Sequence, residues 1–156
     1  MKVTATIINL NEFESQLNKL SNAARGDALS RAAMAGGQAI EAFAKINVEK
    51  TFSSKSTGGA GLGGSIHTEL TKSGERSAEV SVGPSVVYGR IQEFGGIVKP
   101  VTAKMLSWVD DGVRIFANLV HLPPRPYLRP AVDEHIEEIT QAVGASLQRD
   151  IEKALQ

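Results

Sequence analysis

The chain has 156 residues, enough for a single domain over 1–156 with its own core. Lys plus Arg number 17 and Asp plus Glu number 17, a balance that argues against a dedicated nucleic-acid binder, since that class is strongly basic. There is no cysteine, which excludes a disulfide framework and a thiolate metal site and fits folding in a reducing cytoplasm. No apolar run at the N-terminus makes a signal peptide, and no stretch is long enough to span a bilayer, so no membrane partner is expected. Near-zero net charge gives little colloidal repulsion and favours self-association.

Residues 2–8 alternate Val3, Ala5 and Ile7 with Lys2, Thr4 and Thr6, a short strand pattern. Asn9 and Glu12 approximate a capping box, after which Leu10, Phe13, Leu17 and Leu20 fall on one helical face. Gly26 interrupts, and Asp27 caps a longer, alanine-rich helix over 27–50. Its expected inner stripe is Leu29, Ala33, Gly36, Ile40, Phe43 and Asn47. Gly36-Gly37 weakens it by about 1 kcal/mol per glycine; two mid-helix glycines point to a close approach or to a kink. Residues 53–64 are Gly- and Ser-rich, and are expected to be a flexible loop that orders only on assembly.

Strand patterns resume at 65–72 and 76–83, with Ser73-Gly74 as a turn and Ala78, Val80 and Val82 facing one way. Residues 97–101 and 113–120 read as further strands, and 103–110 between them reads as strand or short helix. Asp110-Asp111-Gly112 is a turn signal. In the last element Pro130 suits a first helical turn, and Asp133, Glu134, Glu137 and Glu138 crowd the end that the helix dipole favours for acids. Val132, Ile136, Ile139, Val143, Leu147, Ile151 and Leu155 form one apolar stripe, worth roughly 1.5–3 kcal/mol per buried side chain. The order predicts an α+β domain, a small antiparallel sheet packed with a long N-terminal and a long C-terminal helix.

No chemistry-bearing constellation emerges. Gly59-x-Gly61-x-x-Gly64 matches the dinucleotide fingerprint in form, but it follows a helix and precedes a strand, the reverse of the working context. Gly58-x-x-x-x-Gly63 lacks the lysine of a phosphate-binding loop. His67, His121 and His135 have no partner at metal-ligand spacing, and His135 with Glu134 and Glu138 reads better as an acidic helix face. No serine sits in a Gly-x-Ser-x-Gly elbow. No catalytic residue, metal or cofactor is expected.

Two shape-fixing segments remain: Tyr88-Gly-Arg-Ile-Gln-Glu-Phe-Gly-Gly96 and Leu122-Pro-Pro-Arg-Pro-Tyr-Leu-Arg-Pro-Ala-Val-Asp133. Either could be plain core and strand termination. Arg125 and Arg129, flanking Tyr127-Leu128 on a proline-stiffened arm that loses little entropy on docking, instead suggest a subunit contact. The candidate interface comprises Tyr88, Arg90, Glu93, Phe94, Gly95, Arg125, Tyr127, Leu128 and Arg129, rich in the Tyr and Arg that dominate interface hot spots.

Taken in order, these features resemble the neck, or tail-completion, proteins of tailed bacteriophages. The resemblance runs through the Leu-patterned and Ala-rich helices, Thr57-Gly58, Leu62-Gly-Gly-Ser65-Ile66, Tyr88, Glu93-Phe94-Gly95, and the closing Pro123–Ala131 segment before a C-terminal helix. The glycine insert is longer than usual. The resemblance implies a non-enzymatic virion part of a phage or prophage, assembled in the host cytoplasm. It would form a ring of identical subunits that completes the tail and joins it to the head. Its partners would be the head-connector or stopper proteins and the tail terminator, with incidental contact to exiting DNA. The alternative is a small α+β enzyme or ligand-binding domain, which would need a pocket with convergent polar groups.

Overall fold

The computed structural model describes residues 27–52 and 61–156, together with Ser15, Asn18, Lys19 and Ser21. Those four residues are helical and exposed. The strand expected at 2–8, the apolar positions Leu10, Phe13, Leu17 and Leu20, and residues 53–60 of the glycine loop lie outside the described residues. The class is α+β, with small antiparallel sheets and long helices toward both ends of the chain. Among the described residues the strands form three separate two-stranded sheets. The chain divides into two compact units, one of Met1–Ile40, Thr68–Val82 and His135–Gln156, the other of Glu41–His67 and Gly83–Glu134.

In the first unit, helix α1 (Asp27–Thr51) contributes its N-terminal half, beside the outer part of the β1 (Ile66–Ser73) and β2 (Ala78–Pro84) hairpin and helix α5 (Ile136–Leu155). The buried line of α1 is rotated by one position from the expected stripe. Ala28, Ala32, Gly36 and Gly37 are buried here and Ala44 and Val48 further along, whereas Leu29, Ala33, Ile40, Phe43 and Asn47 are half-buried. Small side chains won because two neighbours press on this face. A Cβ on Gly36 would lie 2.7 Å from Val143 Cγ2, and one on Gly37 would collide with the Thr68 side chain and come within 3.2 Å of Val80 Cγ2. The glycine pair therefore marks a close approach, one residue facing α5 and the other the hairpin. The hairpin closes with Gly74 N–H donating to Ser77 O at 2.9 Å, and Val80 and Val82 share its half-buried face with Ala78. Arg31 and Asp150 make a 3.0 Å ion pair between α1 and α5, worth little at a surface where Arg31 is mostly exposed.

The second unit holds the rest of α1, helices α2 (Leu62–Ser65), α3 (Gly89–Phe94) and α4 (Leu128–Asp133), and strands β3 (Gly96–Val98), β4 (Leu106–Asp110), β5 (Val113–Ala117) and β6 (Val120–Leu122). Residues 62–64, expected to be loop, instead form the turn α2. Leu62 and Ile66 are almost fully buried, and the Ser65 hydroxyl donates to Leu62 O at 2.7 Å. Burial of two apolar anchors four residues apart offsets the entropy of ordering the glycines between them.

Residues 103–110 resolve as strand toward their end, and 113–120 divides into β5 and β6. β4 and β5 are antiparallel, with Asp110 opposite Val113 across a two-residue loop. Asp111 and Gly112 both have positive φ, 45° and 81°, the hairpin turn whose twist matches that of the strands. β3 pairs with β6, Gly96 opposite Leu122 and Val98 opposite Val120.

The last element also differs from expectation. It is two helices, α4 and α5, separated at His135, whose φ of −128° and ψ of 27° leave the helical region. Val132 and Ile136, expected in the stripe, are exposed, whereas Ala131 is buried and Ile139 starts the covered face of α5. Pro130 sits in the first turn of α4 as expected, where a missing N–H costs no intrahelical bond.

Candidate functional site

The two motifs, separate in sequence, form one clasp in the second unit. Glu93, near the end of α3, is buried at 6% exposure. Its carboxylate accepts three backbone N–H groups: Tyr127 at 2.7 Å and Leu128 at 2.9 Å on Oε2, and Arg129 at 3.0 Å on Oε1. These are the N-cap and first two residues of α4, which has no side-chain cap of its own. A helix start leaves such donors unpaired and carries partial positive charge, so a carboxylate supplied by another element both satisfies and neutralises it. Charge-assisted bonds of this kind contribute about 1.5–3 kcal/mol each, which offsets burying the carboxylate.

Tyr127 is the centre of the clasp. Its side chain is fully buried, and its hydroxyl donates to Gly89 O at 3.2 Å. Its carbonyl accepts from Asn47 Nδ2 at 3.2 Å. Burial, and secondarily the Glu93 charge, pushes the phenol up to about 12, so it stays protonated and remains a donor. Two residues earlier in the arm, Arg125 N–H donates to Gln92 O at 2.7 Å.

Two glycines are obligatory for this fit. Gly95 has a φ of 67°, and a Cβ there would lie 2.7 Å from both Leu122 O and Pro124 N. A Cβ on Gly89 would collide with the Pro84 ring and lie 3.1 Å from the Tyr127 hydroxyl.

Of the nine candidate interface residues, Glu93 and Tyr127 point inward and hold the surface in shape. Gly95 and Leu128 are half-buried, and Tyr88, Arg90, Phe94, Arg125 and Arg129 are exposed. Arg125 lies over the Phe52 ring at 5.7 Å and Arg129 over the Phe94 ring at 6.0 Å. The result is an apolar surface studded with cations, and the carboxylate of Glu93 beneath it is committed to backbone donors. Beside it is a groove of about 400 Å³ lined by Val87, Arg90, Ile91, Phe94, Gly96 and Ile97.

Sequence reasoning placed Asn47 on the helix stripe, Gly89 within the first motif and Ile97 in a strand without giving them a part in the site, and it missed Phe52 and the groove residue Val87. It also missed the second exposed apolar region, on the β4–β5 hairpin, where Val109, Val113 and Phe116 are each more than half exposed. The Asp-Gly turn between alternating residues was the signal that could have found it. Among the described residues, no group of three or more His, Asp or Glu could hold a metal ion, and no helix is long and apolar enough to cross a membrane. A larger cavity of about 530 Å³ in the first unit is lined by Arg31, Met34, Gln38, Leu70, Arg149 and Asp150, and its one acid is paired with Arg31.

Residues 11–95, more than half of the chain, match the family model described as "Bacteriophage HK97-gp10, putative tail-component". The match ends at Gly95, one residue before the close of the first motif. No curated protein and no solved structure matches.

Proposed function

Since the chain belongs to the HK97-gp10-like family of bacteriophage tail components, we propose that it is the virion subunit that completes the tail and joins it to the head as a homo-oligomeric ring. It acts by shape and surface, without catalysis. Its partners are further copies of itself, the head-side connector or stopper proteins and the tail terminator, and DNA passes through the ring without specific contact. It is assembled in the host cytoplasm and resides in the neck or tail of the virion.

The observation that carries this reading is the exposed apolar side chains of two regions of the second unit, the α3–β3 groove and the β4–β5 hairpin. Val87, Phe94, Ile97, Val109, Val113 and Phe116 are each more than half exposed, Val87 at 98%. Large apolar side chains left exposed together mark surfaces that another protein covers, and Arg and Tyr are the anchors of protein interfaces. The clasp supports the reading because it fixes the arginine-bearing surface before any partner arrives, which lowers the ordering cost of docking.

The test is to inactivate the gene in the phage or prophage that carries it. Lysates are expected to contain DNA-filled heads and separate tails but no infectious particles, with joining restored by the gene supplied in trans. Joined particles at normal titre would overturn the proposal. Native mass spectrometry of the purified protein tests the ring directly.

A further inference from the structure

The β4–β5 hairpin and the α3–β3 groove are chemically complementary. Strand pairing puts Trp108, Asp110, Val113 and Ile115 on one face of the hairpin and Val109, Arg114 and Phe116 on the other. The first face thus ends in an apolar, acidic tip, with Val113 64% exposed beside Asp110 and Asp111, and carries no cation. The groove has the opposite charge on the same apolar ground: Val87, Phe94 and Ile97 are exposed, Arg90 lines it, and Arg129 stands over the Phe94 ring. Arg90, Asp110 and Asp111 form no ion pair among the described residues. Among the described residues β4 and β5 pair only with each other, and a lone two-stranded hairpin is marginal in water until something packs on it.

We propose that the tip of the β4–β5 hairpin of one copy inserts into the α3–β3 groove of the next copy. The contact joins two different surfaces, so it is heterologous, the kind of contact that builds a ring where its rotation closes. It rests on the self-assembly reading above and names the surfaces that reading leaves open. Asp110 and Asp111 face Arg90 and Arg129, while Val113 packs among Val87, Phe94 and Ile97.

The chain has no cysteine, so single cysteines report contacts without background. Val113→Cys and Val87→Cys, both at exposed positions, are made separately and together in the full chain. They are treated with a short bis-maleimide at concentrations where sedimentation shows self-association. The mixture of the two single variants should give a cross-linked dimer, each variant alone should not, and the double variant should give a ladder of multimers. Assembly without the mixed cross-link, or equal cross-linking of Val113→Cys alone, overturns this contact and leaves the ring reading standing. A protein that stays monomeric at every concentration removes the ring reading and the contact with it.

Charge exchange gives the second readout. Asp111→Arg or Arg90→Asp alone should weaken association about tenfold, and the two together should recover most of that loss. Melting curves check that each variant is folded. Association unmoved by either change, or no recovery in the pair, overturns the proposal. So does an Arg90-dependent affinity for short duplex DNA in a protein that does not self-associate, which would assign the groove to nucleic acid.

Discussion

The clasp around Glu93 and the β4–β5 hairpin belong to the same unit and are built on opposite terms. In the clasp the carboxylate, the phenol and the Asn47 amide all have partners, and Gly95 leaves no room for a single added carbon. In the hairpin the strands bond, among the described residues, only to each other, and most side chains on both faces meet solvent. The clasp is finished within one chain; the hairpin leaves apolar side chains in solvent. A subunit that assembles needs both, a frame that holds its shape alone and an element whose apolar area is covered by a neighbour. Substitutions should therefore divide by region: those in the clasp should cost folding stability, and those in the hairpin should cost association.

The largest effect is expected at Glu93. Glu93→Ala leaves three backbone N–H groups at the start of α4 without an acceptor, at a cost of about 4 kcal/mol, read as a drop in the denaturation midpoint. A loss under about 1 kcal/mol would show that water replaces the carboxylate, and the comparison would fail at its strongest point. Gly95→Ala should follow at about 3 kcal/mol, since it combines positive φ with a collision against the arm.

Tyr127→Phe should cost about 1 kcal/mol at neutral pH for the lost bond to Gly89 O. It should also change the alkaline behaviour. The unfolded phenol titrates at about 10 and the folded one at about 12, so the unfolded chain gives up its proton first. The stability this contributes is fully present below pH 10 and is lost as pH rises toward 12. Urea titrations from about pH 9 to about pH 11.5 should show a slope in the parent that the Phe variant lacks.

The smallest effects on folding are expected at the exposed positions. Arg125→Glu with Arg129→Glu removes two surface cation–π contacts, about 0.5–1 kcal/mol each. The doubly reversed protein should stay folded while heads and tails accumulate unjoined. Unfolding of this variant would make the arginines supports of the fold, and normal infectious titre would remove them from joining. Val109→Thr and Phe116→Ser should change stability by no more than about 0.5 kcal/mol; a larger loss would mean the hairpin is also finished within the chain.

Much of this frame is legible in the residues. The limits of α1, the Asp-Gly turn, the Ser73-Gly74 hairpin and the prominence of the two motifs all rest on local chemistry, which sequence records directly. What the sequence hid was their meeting. Glu93 reaches backbone N–H groups 34 to 36 positions away, and a backbone donor has no residue identity to read. The rotation of the α1 stripe was hidden for a related reason: large side chains weight a periodicity, while the face is chosen by where a neighbour comes close enough to demand alanine and glycine. The division between α4 and α5 carries no proline or glycine at His135, so an unbroken apolar period masked it. The exposure of Val132 and Ile136 follows from that division.

The donors held by Glu93 have one further consequence. Every amino acid except proline offers the N–H that the carboxylate binds at 127, 128 and 129, and the run of donors stops at Pro130, which has none. The grip is therefore indifferent to the side chain at position 129. Any residue but proline can replace Arg129 without loosening the three bonds beneath it. Inheritance of the scaffold and divergence of its outer surface are thus uncoupled at a single carboxylate.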